Sequence, residues 1–201
     1  MRRSACLALS LSLAIPGPAR ADVPTPAEVA APLPSRDIRW SGTVGAAVDV
    51  GSLPRASLGL TLGFDVRRGA LGLRVVSSAY GPQRDHASGA SIAAFDTLAM
   101  ICALAPIGSV IDLGACGGGG VGILGAEGAS SAPADRMVRF RPEGLATTRF
   151  DVALLRALWV SLEAGVTIDP LRTRLRLAGE DAHRASLVSF RSTLSLHLRV
   201  W

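Results

Sequence analysis

The chain has 201 residues, 49% of them hydrophobic and only 18% charged, with a mean hydropathy of +0.37. A helical membrane protein would need roughly 20 consecutive apolar residues per span, and the best stretch, 97–126, is broken by Asp112 and by repeated glycines from Gly114 to Gly122. The net charge of +5 includes Arg2, Arg3 and Arg20; without those three, 18 basic residues face 16 acidic ones, so charge gives no support to a nucleic-acid partner.

The N-terminus reads as an export signal. Arg2 and Arg3 form its positive region, residues 5–15 are apolar but too short to span a bilayer, and Ala19-Arg20-Ala21 fits the small-x-small cleavage pattern. Cleavage is expected after Ala21. Cys6 lacks the preceding apolar run of a lipoprotein signal, and the paired arginines lack the rest of a twin-arginine motif. Residues 22–37 contain Pro24, Pro26, Pro32 and Pro34, too dense for a helix or a central strand. They are expected to form a Pro-rich periplasmic tail, with one domain over 38–201.

From residue 38 onward apolar side chains recur with period two, the mark of a ribbon with one greasy and one polar face. Ile38, Trp40, Val44, Val48 and Val50 oppose Arg39, Ser41, Thr43 and Asp49. Leu58, Leu60, Leu62, Phe64 and Val66 oppose Ser57, Thr61, Asp65 and Arg67. Leu71, Leu73 and Val75 oppose Gly72, Arg74 and Ser78. The fourth and fifth segments, about 91–104 and 109–124, are apolar on both faces or Gly-rich. Phe150, Val152 and Leu154 oppose Arg149 and Asp151. Leu158, Val160, Leu162, Val166 and Ile168 oppose Trp159, Ser161, Glu163 and Thr167. In the last segment Leu194, Leu196, Leu198 and Val200 oppose Ser195, His197 and Arg199.

That gives eight strands, each long enough for a tilted membrane span. The gaps after the second, fourth and sixth are tight, at Arg68-Gly69, 105–108 and Arg156-Ala157. Those after the third, fifth and seventh are long and polar, at 81–90, 125–144 and 169–186, while the first outer gap, 51–55, is short. Short periplasmic turns alternating with longer external loops are the phase of an outer-membrane barrel. The fold expected is all-β, an eight-stranded antiparallel up-and-down transmembrane β-barrel. A soluble periplasmic lipocalin-like barrel shares the alternation; it would carry Lys, Asp and Glu outside, whereas this polar face is mostly Ser, Thr and Gly with paired charges. Trp40, Trp159 and Trp201 fall at periplasmic strand ends, where the membrane interface favours Trp.

The inward face carries both signs of charge. Arg39, Arg67, Arg74, Arg149, Arg191 and Arg199 face Asp49, Asp65, Asp112, Asp151 and Glu163. An eight-stranded barrel has room only for its own side chains, and buried charge must be paired. The near-balance therefore predicts a closed, ion-paired lumen with no catalysis; a narrow pore for small solutes would more naturally show a ring of one sign. Cys102 and Cys116 lie symmetrically about a turn near Ser109, so they should meet as a lumenal disulfide in an exported protein. Glycines between Gly114 and Gly122 would leave room for Leu98, Met100 and Leu104.

Other sites are weaker. Gly117 to Gly122 fits GxGxxG, but no helix follows, so no dinucleotide cofactor is expected. Ser195 and His197 share a face, which raises a lipid A-modifying enzyme. They lie at the periplasmic end, away from the outer leaflet, and no orienting carboxylate is identifiable. His86 with Asp85, and His183 with Glu180 and Asp181, read as solvated loop polarity rather than a metal site. Residues 171–177 alternate again and are expected to extend strand seven and pair with strand eight. There Arg172, Arg174 and Arg176 are candidate lipopolysaccharide contacts, against the plainer reading of a solvated strand face.

With these features the chain resembles small outer-membrane β-barrels of the OmpA/OmpX type, and more closely the uncharacterised small barrels of Gram-negative genomes. The resemblance covers roughly 38–201 and rests on the export signal, the strand–loop phase, the Cys102…Cys116 hairpin and the terminal Leu198-Arg199-Val200-Trp201. It implies insertion by the general outer-membrane assembly machinery, which reads the last strand. The chain is expected to be a monomer in contact with outer-membrane lipid and lipopolysaccharide. One departure is that Trp201 shares parity with Arg199 and His197, while the apolar set ends at Val200.

Overall fold

The structure, a computed structural model, describes residues 38–86, 89–128, 136–177 and 180–200. The export signal, the Pro-rich segment and Trp201 lie outside the described residues. Eight strands close one antiparallel barrel: β1 (Ile38–Val50), β2 (Ser57–Arg68), β3 (Leu71–Arg84), β4 (Ser91–Ile107), β5 (Ile111–Glu127), β6 (Arg136–Ala153), β7 (Leu158–Ile168) and β10 (Val188–Val200). Neighbours in sequence are neighbours in the ring. β10 closes it against β1, from Trp40 opposite Val200 to Val50 opposite Phe190. Closure leaves no open sheet edge in the wall. Strand lengths run from 11 residues in β7 to 18 in β6, enough for the ~9–11 that a tilted strand needs to cross a bilayer.

The period-two pattern sorts side chains by face, and the sorting is the reverse of a soluble protein's. On β2, Leu60 is 73% exposed while its neighbour Thr61 is 2% exposed. On β10, Leu194, Leu196 and Leu198 face outward while Ser195 and His197 are buried. Val44, Leu58, Leu62, Leu73, Ile101 and Leu162 continue the outward apolar band around the wall. A soluble barrel would expose that much Leu and Val to water at a large hydrophobic cost; a lipid-facing wall incurs none.

β4 and β5 look blurred in sequence because part of the lumen is itself apolar. Leu98, Met100, Cys102 and Leu104 point inward from β4 and pack with Val76, Cys116 and Leu145. Three of these β4 residues face glycines on β5, with Gly120 opposite Leu98, Gly118 opposite Met100 and Gly114 opposite Leu104. A Cβ on Gly118 or Gly120 would run into the β4 backbone. The close approach of these strands depends on there being none.

The short-turn end uses Gly69 (φ 61°) and Gly108 (φ 70°) in the left-handed region. At the other end two expectations fail. Residues 125–127 and 136–144 are strand rather than loop: β5 and β6 continue pairing from Gly119–Gly144 out to Glu127–Arg136. Its charge and Pro142 hid the strand. β6 begins to pair with β7 only at Gly144, so Pro142 lies where that side needs no ladder hydrogen bond. Nor does 171–177 extend β7. β8 (Arg174–Leu177) and β9 (Glu180–Arg184) form a separate two-stranded hairpin. The cause is Asp169, 3% exposed, whose carboxylate accepts the N–H groups of Leu171 (3.0 Å) and Thr173 (3.1 Å) and turns the chain through Arg172 at φ 48°.

The hairpin roofs the barrel. Leu175 and Ala185 are buried with Leu53, Tyr80, Ile92 and Leu124 in one apolar cluster. His183 Nε2 lies 3.0 Å from the Ser52 carbonyl, which ties the hairpin to the β1–β2 loop.

Candidate functional site

The polar interior is the natural place to look for chemistry. Its ion pairs form chains across the lumen. Arg67 donates to Asp112 at 2.5 Å, and Arg199 reaches Asp112 at 3.1 Å and Asp151 at 3.6 Å. Arg149 bridges Asp151 (2.8 Å) and Asp65 (2.6 Å); Arg74 bridges Asp65 (3.5 Å) and Glu163 (3.1 Å). Nearer the roof, Arg191 holds Asp96 with two hydrogen bonds, 3.0 and 2.7 Å, and lies 3.8 Å from both Asp49 and Glu143. Arg141 pairs with Glu143. Arg39 is half-buried at the short-turn mouth. With Asp96, Arg141 and Glu143 added, the arginines and carboxylates named here match one for one.

Many of these pairs join strands on opposite sides of the ring. β10 and β4 (Arg191–Asp96), β6 and β2 (Arg149–Asp65), and β3 and β7 (Arg74–Glu163) are each four places apart around the barrel. Side chains from opposite walls thus meet across the diameter. Two cavities beside these pairs are about 20 Å³, next to Asp65, Arg149 and Leu104, and about 10 Å³, next to Met100, Glu163 and Arg191. Each holds a water at most. A wider vestibule of about 470 Å³ opens at the short-turn end, lined by Arg39, Arg67, Asp112, Trp159 and Arg199. Trp159 faces inward, 8% exposed, with the Arg199 guanidinium 3.4 Å from its ring centre, so it is not an interface anchor. Trp40 faces outward and packs on Phe64, ring centres 5.4 Å apart.

Asp96, Arg141 and Glu143 escape the sequence reading. Asp96 shares parity with Leu98 and Met100, and a lone acid in an apolar strand is the only signal it gives. Arg141 and Glu143 fell inside the segment read as a loop.

Cys102 and Cys116 face each other in the β4–β5 register and are joined by a disulfide on the inner face. Ser195 and His197 are also together, Oγ to Nε2 3.0 Å. A carboxylate does stand nearby, Asp65 at 3.7 Å from Nδ1, which sequence reasoning did not find. The geometry still opposes a nucleophile. Arg149 lies 3.2 Å from Nδ1, and guanidinium only donates. Nδ1 must accept, so in a neutral ring Nε2 carries the proton and donates to Ser195 rather than taking its proton. Ser195 is 3% and His197 1% exposed, so no lipid or other large substrate reaches them.

Among the described residues no cluster of His, Cys, Asp and Glu is arranged to hold a metal ion. The side chains of Glu180 and Asp181 lie outside the described residues. Arg172, Arg174 and Arg176 are exposed on the roof hairpin and the turn before it.

No protein-family model matches the sequence, and no curated protein matches it. Solved structures do match in fold. Neisserial surface protein A superposes with a TM-score of 0.58 at 9% identity, over 80% of this chain and 96% of that one. A major outer membrane protein from Thermus thermophilus gives 0.58 at 11%, over 82% and 100%. Ail, the attachment invasion locus protein of Yersinia pestis, solved with the heparin analogue sucrose octasulfate, gives 0.55 at 12%, over 82% and 99%. The fold is that of the small eight-stranded outer-membrane barrels.

Proposed function

We propose that the chain is an integral, monomeric outer-membrane barrel with a closed, ion-paired lumen, acting as a rigid scaffold for its long hairpins and carrying out no catalytic step. The observation behind this is the set of arginine–carboxylate pairs that meet across the ring. A conducting pore needs an open path, and a barrel enzyme needs polar groups at the lipid-accessible rim; the interior favours neither. The short-turn end is then periplasmic and the hairpin roof external. Loops on a rigid scaffold are where recognition concentrates, which makes the role structural or interactive.

On this reading the partners are outer-membrane lipid against the apolar band, lipopolysaccharide against Arg172, Arg174 and Arg176, and during biogenesis the outer-membrane assembly machinery. The test is fractionation of the expressed protein with boiled and unboiled samples compared on one gel. Sedimentation with the outer membrane and faster migration unboiled are expected. A soluble periplasmic protein with no heat-dependent shift would replace this reading with a soluble binding barrel.

A further inference from the structure

We propose that Arg174 and Arg184, with Arg172 beside them, form a phosphate-binding site on the roof hairpin that takes phosphate groups on the core sugars of surrounding lipopolysaccharide. This rests on the outer-membrane reading above, and it adds Arg184, which no pattern in the sequence singles out.

The first observation is a like-charge pair. The β8–β9 register sets Arg174 directly opposite Arg184, and both are exposed. Directly opposed residues have Cβ atoms roughly 5 Å apart, where like charges are destabilising. Among the described residues no ion pair neutralises either guanidinium. A two-stranded ribbon this short has little stability of its own, so the repulsion is a real cost to the free hairpin. A bound oxyanion between the guanidiniums removes it, through charge-assisted, fork-shaped hydrogen bonds.

The second observation is the turn. Arg172 sits at φ 48°, a conformation uncommon for a residue with a side chain. Such strain persists only where the surroundings over-determine it. Here they do: Asp169 accepts the N–H groups on both sides of Arg172, and the Arg172 N–H donates to the Asp169 carbonyl at 3.1 Å. A third cation, two residues before Arg174 in sequence, is thereby held on a fixed backbone.

Direction decides the source of the phosphate. Leu175, between Arg174 and Arg176, is fully buried in the roof, and alternate side chains of a strand point oppositely. The guanidiniums therefore face away from the barrel end, beyond the apolar band rather than beside it. Phosphates on core sugars stand in that layer; those of lipid A lie at the bilayer boundary.

The experiment is calorimetric titration of the barrel, folded in detergent micelles, with water-soluble phosphorylated core oligosaccharide freed of lipid A. The same sugar after phosphatase treatment and vesicles of lipid A alone serve as the other arms. Saturable binding to the phosphorylated sugar is expected. It should weaken about tenfold or more in the Arg174→Gln/Arg184→Gln double variant, and also on dephosphorylation or added salt. Arg55→Gln, an exposed change on the β1–β2 loop, should leave it unaltered. Equal affinity in the double variant, equal affinity for the dephosphorylated sugar, or binding to lipid A alone overturns the site. Every variant is first checked for the heat-dependent gel shift. A parent with no shift overturns the barrel reading and the site with it; a shifted parent that does not bind overturns the site alone.

Discussion

Asp96 on β4 meets Arg191 of β10 from the far side of the ring, and both are nearly inaccessible, at 0% and 3% exposure. Breaking one half of a buried pair leaves the other charge stranded, a loss of about 3–5 kcal/mol. Asp96→Ala is expected to cost toward the low end of that range in urea unfolding from lipid vesicles, because Asp49 and Glu143, each 3.8 Å from Arg191, keep its charge partly paired. Replacing both partners with apolar residues of similar volume should not recover the loss in full, because Arg191 also faces the buried carboxylates of Asp49 and Glu143. A near-neutral Asp96→Ala would mean that Arg191 is not held by this pair. Ser195→Ala tests the interior differently: it should remove one hydrogen bond, about 1 kcal/mol, and leave the lipid A of expressing cells unchanged. Altered lipid A composition between the two would restore the enzyme reading. Why some of these residues were legible and others were not follows from their neighbours. Asp65 and Arg74 interrupt clean apolar alternation and announce an inward face. Asp96 sits among inward-facing apolar residues, and its partner is far away in sequence.

At the level of strands, alternation was readable wherever lipid outside and polar side chains inside enforce it, as in β2, β7 and β10. It faded in β4 and β5, where Leu98 and Met100 make the lumen wall apolar and glycines take the opposite positions. The extension of β5 and β6 was hidden by the charge of Arg139, Arg141 and Glu143. The β8–β9 hairpin was hidden because a single buried carboxylate, Asp169, redirects the chain, and no periodicity encodes that. Two outcomes belong to this scale. Leu60→Arg, on the outward face of β2, should destabilise the folded barrel in bilayers by about 2–4 kcal/mol if that face meets lipid near its midplane; no effect would argue for water there. Cys102→Ser with Cys116→Ser opens a link between residues 14 apart in sequence and should cost about 3 kcal/mol in the same unfolding assay. An unchanged midpoint would mean that the hairpin is held by its strand pairing alone.

For the molecule as a whole, the proposed plug rests on neutrality and span together. Charges of both signs reach across the diameter and neutralise each other, and an apolar roof of Leu53, Ile92, Leu124 and Leu175 covers one end. The near-balance of charge was visible in sequence; the roof was not, since the β1–β2 loop and the hairpin that bring Leu53 and Leu175 onto the ends of β4 and β5 carry no periodic pattern. The most direct test is single-channel recording of the purified protein in a planar lipid bilayer, beside Arg74→Ala, which removes a fully buried guanidinium bridging Asp65 and Glu163. No stepwise conductance is expected from the parent, and leak steps are expected from the variant. Stable conductance steps from the parent, little changed by Arg74→Ala, would contradict a closed lumen and make the protein a pore.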